Sequence, residues 1–154
     1  GPMIELLSKK YPEKHYTGLD LTPKMIEVAN AKKLPNTKFI VGDSENLPFE
    51  DDSFDAVICA NSFHHYPNPQ KFFNGVKRVL KPNGRLILRD YTTNPVILWL
   101  INHVELKLAN LFGHGDVCIY PPAQIRAMCK SAGLEVIKLE KGKMFRLHLV
   151  AENK

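Results

Sequence analysis

The chain has 154 residues, of which 44% are apolar and 24% charged, and these proportions are ordinary for one globular domain with its own core. The net charge is +5, but the lysines are scattered in pairs such as Lys9-Lys10 and Lys32-Lys33, which favours a solvated surface over a nucleic-acid patch. No apolar run approaches the roughly 20 residues that span a bilayer, and no secretory signal is visible, so we expect a cytoplasmic protein without a membrane span.

The first half of the chain alternates between helix and strand patterns. Helices are predicted over residues 4–10 and 23–34, and strands over 15–21, 37–41 and 54–60. Thr22 is suited to cap the second helix, and Pro23 fits its first position. The strand over 54–60 is almost continuously apolar, which is typical of a strand buried on both faces of a parallel sheet.

The second half continues the alternation. A helix is predicted from Asn68-Pro69, a turn at 81–84, a strand over 85–90, and further helices over 95–112 and 121–132, the last stopped by Gly133. Two strands over 134–139 and 144–150 share a short linker, so we expect them to pair antiparallel. This order of elements predicts an α/β fold with a mostly parallel sheet.

Four predicted strands end in polar residues, where ligands of open α/β sheets bind: Asp20, Asp43, Asn61 and Asp90. Asp20 is suited to accept both hydroxyls of a ribose, although a turn aspartate is an equally good interpretation. Asp43 can accept from an adenine amino group after the tight turn that Gly42 allows. The alternative for Asp43 is an acidic surface turn.

Four segments in order resemble the motifs of class I S-adenosylmethionine-dependent methyltransferases: GLDLTPKM at 18–25, GDSENLPF at 42–49, FDAV at 54–57 and VLKPNGRL at 79–86. The resemblance covers about residues 3–91 and is strongest to the small-molecule branch that includes the ubiquinone and menaquinone methyltransferases. It implies one Rossmann-like domain over residues 1–154, with helices on both faces of the sheet and a C-terminal antiparallel strand pair.

The resemblance also implies roles for residues that follow the strands. Asp20 would bind the ribose hydroxyls of S-adenosylmethionine, and Leu21 would lie against the adenine. Asp43 would hold the adenine amino group, with a backbone donor from Ser44. Three further residues would line the methionine end of the cofactor: Asn61, Ser62 and Phe63.

His64 and His65 follow at the rim, where the acceptor of the methyl group would sit. Either histidine could act as a general base, because histidine titrates near neutrality. The alternative is a pair of rim or capping histidines. The two have no third ligand at a useful spacing, and the spacing of Cys59, Cys118 and Cys129 fits neither a zinc site nor a disulfide framework, so no metal is expected.

The glycine-rich turn and the first central strand of the family have no counterpart in the chain, so we interpret it as N-terminally truncated. Residues 1–2 are typical of a cleavage scar before Met3. We therefore expect impaired cofactor binding and a gap between the strands that end at Asp20 and Ala60. Direct pairing, strand exchange within a homodimer and a marginal fold are the three alternatives for that gap.

Two later segments are further candidates. Arg89, Asp90 and Tyr91 could face the substrate, although a strand-end ion pair is the favoured interpretation. Residues 95–120 are expected to form a substrate lid, whose apolar stripe is either core or a hydrophobic channel. It carries Trp99, His103, Phe112, His114 and Tyr120.

The sequence thus predicts S-adenosylmethionine-dependent methyl transfer to an unidentified small molecule. The alternative is a non-catalytic, methyltransferase-like interaction module that has kept the fold. A nicotinamide-dependent oxidoreductase also uses an acidic strand end, but the segment 42–49 argues against it.

Overall fold

A computed structural model describes residues 2–105, 118–142 and 146–154. The elements in those ranges are, in chain order, α1 (Pro2–Lys10), β1 (Tyr16–Asp20), α2 (Pro23–Asn30), β2 (Thr37–Val41), β3 (Phe54–Ala60), α3 (Pro69–Val79), β4 (Leu80–Tyr91), α4 (Pro95–Leu100), α5 (Pro122–Ser131), β5 (Leu134–Lys141) and β6 (Arg146–Asn153). A 3-10 turn follows β3 at Phe63–His65, and a π-helical segment follows α4 at Ile101–Glu105. The α/β class is confirmed. Among the described helices, none is long and apolar enough to cross a membrane.

The chain divides into two compact units, and the first ends at Pro48. Its strands β1 and β2 pair in parallel, with Tyr16 opposite Thr37 and Asp20 opposite Val41. Strands β1 and β3 belong to different sheets. The three alternatives for the predicted gap stay predictions.

Helix α2 begins where the sequence predicts, with Pro23 in its first turn, but the Thr22 side chain makes no capping hydrogen bond. Thr22 thus occupies the predicted N-cap position without its side chain, and its carbonyl accepts from the N–H of Met25 at 3.0 Å. The helix buries Ile26 and Ala29, as its apolar spacing predicts.

The second unit runs from Phe49 to Lys154 and contains a mixed four-stranded sheet in the order β3-β4-β6-β5. Strand β4 pairs in parallel with β3 and antiparallel with β6. The predicted antiparallel pairing of β5 with β6 is confirmed. Insertion of β6 between β4 and β5 is not evident from the sequence, and it brings the start of β6 to the end of β4.

Two strand predictions need correction. Strand β3 is not buried on both faces: Cys59 is 5% exposed, but Ile58, which points to the opposite face, is 41% exposed. The predicted turn at 81–84 lies inside β4 as an irregularity, since Phe54 pairs with Leu80 and Ala56 pairs with Arg85. The extra residues bulge from the strand.

Side chains of the helices and of strands β4 and β6 form most of the core of the second unit. Helix α3 buries four of its side chains: Phe72, Phe73, Val76 and Val79. Helix α5 buries Ile125 and Cys129 and is followed by Gly133 at φ +80°, which confirms the predicted glycine stop. Strand β6 alternates, with Leu147, Leu149 and Ala151 fully buried.

The alternation along β6 makes a testable claim about stability. Replacing the fully buried Leu149 by alanine should lower the free energy of unfolding by about 2–5 kcal/mol, because the sheet cannot close the cavity. The matched change Ile137→Ala removes a 53% exposed side chain from the neighbouring β5 and should cost less than about 1 kcal/mol. Urea unfolding followed by circular dichroism measures both, and equal losses would contradict the assigned faces.

Candidate functional site

Asp20 ends β1, and its own turn holds its carboxylate. Oδ1 accepts from the N–H of Thr22 at 2.9 Å, so the turn aspartate that the sequence left open is present. The second oxygen, Oδ2, makes no hydrogen bond within the described residues. The next side chain, Leu21, is 70% exposed. A fixed carboxylate with a spare acceptor oxygen therefore stands beside an exposed apolar side chain.

Asp43 repeats this arrangement after β2. Its Oδ1 accepts from the N–H of Glu45 at 2.8 Å, and the carboxylate lies at the surface. Gly42 is not in the left-handed region, so its role differs from the predicted tight turn. A Cβ on Gly42 would stand 2.6 Å from Cδ1 of Leu19, and the glycine therefore matters for close packing. Ser44 is half-buried, and its predicted role as a backbone donor stays a prediction.

The residues of this first unit fit an adenosine. Ribose hydroxyls and an adenine amino group are hydrogen-bond donors, and a carboxylate with one oxygen already engaged can still accept from them. Strand β1 lies beside β2 with Asp20 opposite Val41, so Asp43 follows two residues beyond that pair. An exposed Leu21 offers an apolar surface for a flat base.

Asn61 follows β3 in a left-handed conformation with φ 54°. Its backbone N–H donates to the carbonyl of Arg89 at 2.9 Å, and its Oδ1 accepts from Nη1 of Arg146 at 2.8 Å. Asparagine tolerates this conformation better than most residues. Asn61 is thus held through its backbone by strand β4 and through its side chain by strand β6.

Ser62 and Phe63 lead into the 3-10 turn. The hydroxyl of Ser62 lies 3.1 Å from that of Tyr66 and 3.4 Å from Sγ of Cys59. Burial raises the pKa of the Cys59 thiol to about 11, so it stays protonated and is no nucleophile. Phe63 is only 2% exposed and packs among Tyr66, Phe72, Phe73 and Tyr120. Its side chain holds the turn against the core. Because that side chain is buried, only the backbone of Phe63 could make the predicted contact with the cofactor.

His64 is bonded to the end of β4. Its Nδ1 lies 2.7 Å from Oδ1 of Asp90, and its backbone N–H donates to Oδ2 of the same carboxylate at 3.2 Å. Asp90 is 2% exposed and also accepts from the N–H of Tyr91 at 2.7 Å. An ionised carboxylate only accepts, so Nδ1 of a neutral His64 carries the proton and Nε2 carries the lone pair.

His65 and Tyr91 flank the His64 ring. Ring centroids lie 4.1 Å apart for the two histidines and 5.4 Å apart for His64 and Tyr91. His65 is exposed, whereas the side chain of His64 is only 12% exposed. The contact with the buried Asp90 favours His64 as the base.

The described residues contain no group of three or more histidine, cysteine, aspartate or glutamate side chains that could hold a metal ion. In the predicted lid, Trp99 is 57% exposed and stacks on His103 with ring centroids 4.9 Å apart, whereas Leu98 is buried. Phe112 and His114 lie outside the described residues. The lid over 95–120 stays a prediction.

Sequence reasoning missed two contacts of this cluster. The sequence predicts Asp90 at a strand end but not its partner His64, which lies 26 residues away. It gives no signal for Arg146, which reaches Asn61 across 85 residues. The acidic strand end was the available signal for Asp90, whereas the position of Arg146 follows from the insertion of β6.

The chain belongs to the family of the methyltransferase domain, which matches residues 1–88. It is 43% identical over 90 residues to the demethylmenaquinone methyltransferase of Thermotoga maritima, a match covering 58% of this chain and 39% of that protein. It is 41% identical over 98 residues to the phthiotriol/phenolphthiotriol dimycocerosates methyltransferase of Mycobacterium leprae, covering 62% and 36%. The chain thus spans less than half the length of these curated relatives.

Solved structures share the fold. A SAM-dependent methyltransferase from Aquifex aeolicus superposes with a TM-score of 0.74 at 21% identity, covering 98% of this chain and 76% of that one. At this identity the similarity establishes the Rossmann-like methyltransferase fold. The family membership rests on the sequence match.

The His64–Asp90 contact can be tested by nitrogen NMR of the ring. At about pH 8.5, above the ordinary histidine pKa of about 6.5, the native protein should show His64 protonated at Nδ1. Asp90→Ala removes the acceptor and should bring in the Nε2-protonated tautomer, whereas Asp90→Asn keeps an acceptor oxygen and should retain the native one. His65 and His148 serve as internal references, and an unchanged tautomer in Asp90→Ala would contradict the assignment.

Proposed function

We propose that this chain belongs to an enzyme that transfers a methyl group from S-adenosylmethionine to a small molecule. The observation that carries the proposal is the pair of strand-end carboxylates, Asp20 and Asp43, each fixed by its own turn through one oxygen. Family membership supports the same donor, since the Aquifex aeolicus neighbour is described as SAM-dependent.

In this proposal the first unit holds the adenosine part of the donor. Asp20 accepts from the ribose hydroxyls, Asp43 accepts from the adenine amino group, and Leu21 covers one face of the base. The backbone of Ser44 supplies a donor to the base. When bound, S-adenosylmethionine supplies a methyl group on a positively charged sulfur, which is electrophilic without further activation.

The residues after β3 serve the reaction in the second unit. His64 takes a proton from the acceptor at Nε2, because Asp90 holds the ring by Nδ1 and stabilises the imidazolium that forms. Asn61, Ser62 and the backbone at Phe63 shape the wall toward the methionine end of the donor. His65 stacks against His64 and stays a secondary candidate for the base.

The acceptor is proposed to be a small molecule with an acidic hydroxyl or carbon. A base is useful only where deprotonation makes the acceptor nucleophilic, which describes phenols, enols and activated carbons. The names of the two relatives give two different acceptors, demethylmenaquinone and phthiotriol or phenolphthiotriol dimycocerosates, so family membership supports the donor and not one acceptor.

The donor site can be tested with S-adenosylmethionine and adenosine as ligands. We expect weak binding to this chain, with a Kd above about 1 mM for S-adenosylmethionine, because its sequence holds no glycine-rich turn for the methionine part. Asp20→Asn and Asp43→Asn should each weaken binding further by about tenfold, since a charge-assisted hydrogen bond becomes a neutral one. Saturation-transfer NMR measures such weak binding.

Glu27→Gln is the matched control, because it removes an exposed acid of the same unit whose ion-pair partner among the described residues is Lys24. It should bind both ligands like the native chain. Equal binding by the two aspartate variants would remove the support for the proposed function and leave the non-catalytic interaction module in its place. Sub-millimolar binding of S-adenosylmethionine by the native chain would overturn the expected impairment.

A homodimer formed by strand exchange remains a proposal. Within the described residues, β1 pairs only with β2 and β3 pairs only with β4, so each has one edge of unpaired backbone groups. Such edges pair readily with another chain. Sedimentation equilibrium should show a dimer, and a stable, well-folded monomer at high concentration would exclude strand exchange.

A further inference from the structure

Arg146 is the first residue of β6 and lies directly opposite Tyr91 of β4. Its Nη1 donates to Oδ1 of Asn61 at 2.8 Å, and its guanidinium carbon lies 5.0 Å from the centroid of the Tyr91 ring. An amide and an aromatic face therefore fix the plane of the guanidinium. The same Tyr91 ring is in edge contact with the His64 ring.

Within the described part of the chain, Arg146 makes no ion pair, whereas Arg78 pairs with Asp51 and Arg85 with Glu152. The carboxylate of its own cluster is already committed, because both oxygens of Asp90 accept from other groups. The Arg146 contact with Asn61 uses Nη1 alone. The edge formed by Nε and Nη2 thus presents two parallel N–H donors, which match the two oxygens of a carboxylate.

We infer that Arg146 recognises an anionic group of the methyl acceptor, so that the acceptor is a small carboxylate whose reacting hydroxyl or carbon faces His64. This inference rests on the proposed function, and it adds the chemical class of the acceptor. Tyr91 sets the spacing, since its ring contacts both the cation and the base. The acceptor would therefore carry its carboxylate about one aromatic ring away from the reacting atom, as a hydroxybenzoate does.

A purely structural role for Arg146 would be to hold Asn61 in its left-handed conformation. That role needs only one N–H donor to the amide oxygen of Asn61. It does not require a positive charge at residue 146. The two roles differ in what they predict for a soluble anion, because only the recognition role makes binding depend on the charge of residue 146 and on the charge of the ligand.

The experiment uses benzoate as the probe and benzamide as its neutral isostere. Each is titrated into the nitrogen-labelled native chain without S-adenosylmethionine, and the backbone amides of His64, Tyr91 and Leu147 are followed by NMR. Benzoate should shift these amides in a saturable manner, and benzamide should not. Arg146→Gln should weaken benzoate binding by about tenfold or more, and Arg146→Lys should retain part of it because the charge remains.

Two further variants are controls for charge and fold. Arg126→Gln removes one exposed positive charge from α5 and should bind benzoate like the native chain. Asn61→Gly keeps a backbone that tolerates positive φ but removes the amide anchor, so it should weaken benzoate binding by less than Arg146→Gln. If a variant fails to fold, the comparison of benzoate with benzamide on the native chain still tests whether binding requires a negative charge on the ligand.

Equal shifts by benzoate and benzamide, or unchanged benzoate binding in Arg146→Gln, would overturn the inference. An equal loss in Arg126→Gln would also overturn it, because binding would then report net charge. The outcome is separable from the proposed function: benzoate binding needs no methyl donor, and donor binding is tested at Asp20 and Asp43. A failed benzoate titration therefore leaves the donor site standing, and the reverse also holds.

Discussion

The buried carboxylate of Asp90 is the contact on which the second unit depends. It ends β4, is 2% exposed, and accepts from Nδ1 of His64 and from the backbone N–H groups of His64 and Tyr91. A buried charge is tolerated only when it is hydrogen-bonded in this way. The three bonds tie the 3-10 turn to the end of the sheet, and they fix the tautomer of the histidine. The contact between Asp90 and His64 thus sets both the position of the histidine ring and the nitrogen that carries its proton.

The sheet order extends this cluster to a third strand. Because β6 enters between β4 and β5, its first residue, Arg146, lies opposite Tyr91, one residue beyond Asp90. Arg146 then reaches the amide of Asn61 at the end of β3. Parallel strands β3 and β4 end at the same edge, and the antiparallel β6 begins there. One edge of the sheet therefore collects an amide, a base with its carboxylate, and a cation.

Local patterns were sufficient to predict most elements. Strands β2 and β3 have the predicted bounds, and Gly133 ends α5 because a left-handed residue is needed there. The predictions failed where the local structure depends on residues far away in the sequence. The turn at 81–84 became a bulge because β4 continues its pairing with β3 on both sides of it. Ile58 is 41% exposed although its strand is almost continuously apolar. Neither fact is encoded in the residues of the segment itself.

The same contrast separates the candidate residues of the first unit from those of the second. Asp20 and Asp43 are oriented by backbone groups two residues away, so a short motif carries both the residue and its geometry. His64 and Asn61 take their geometry from partners 26 and 85 residues distant. The donor contacts that we propose are therefore carried by short motifs. The acceptor contacts that we propose depend instead on the sheet order, which no short motif encodes.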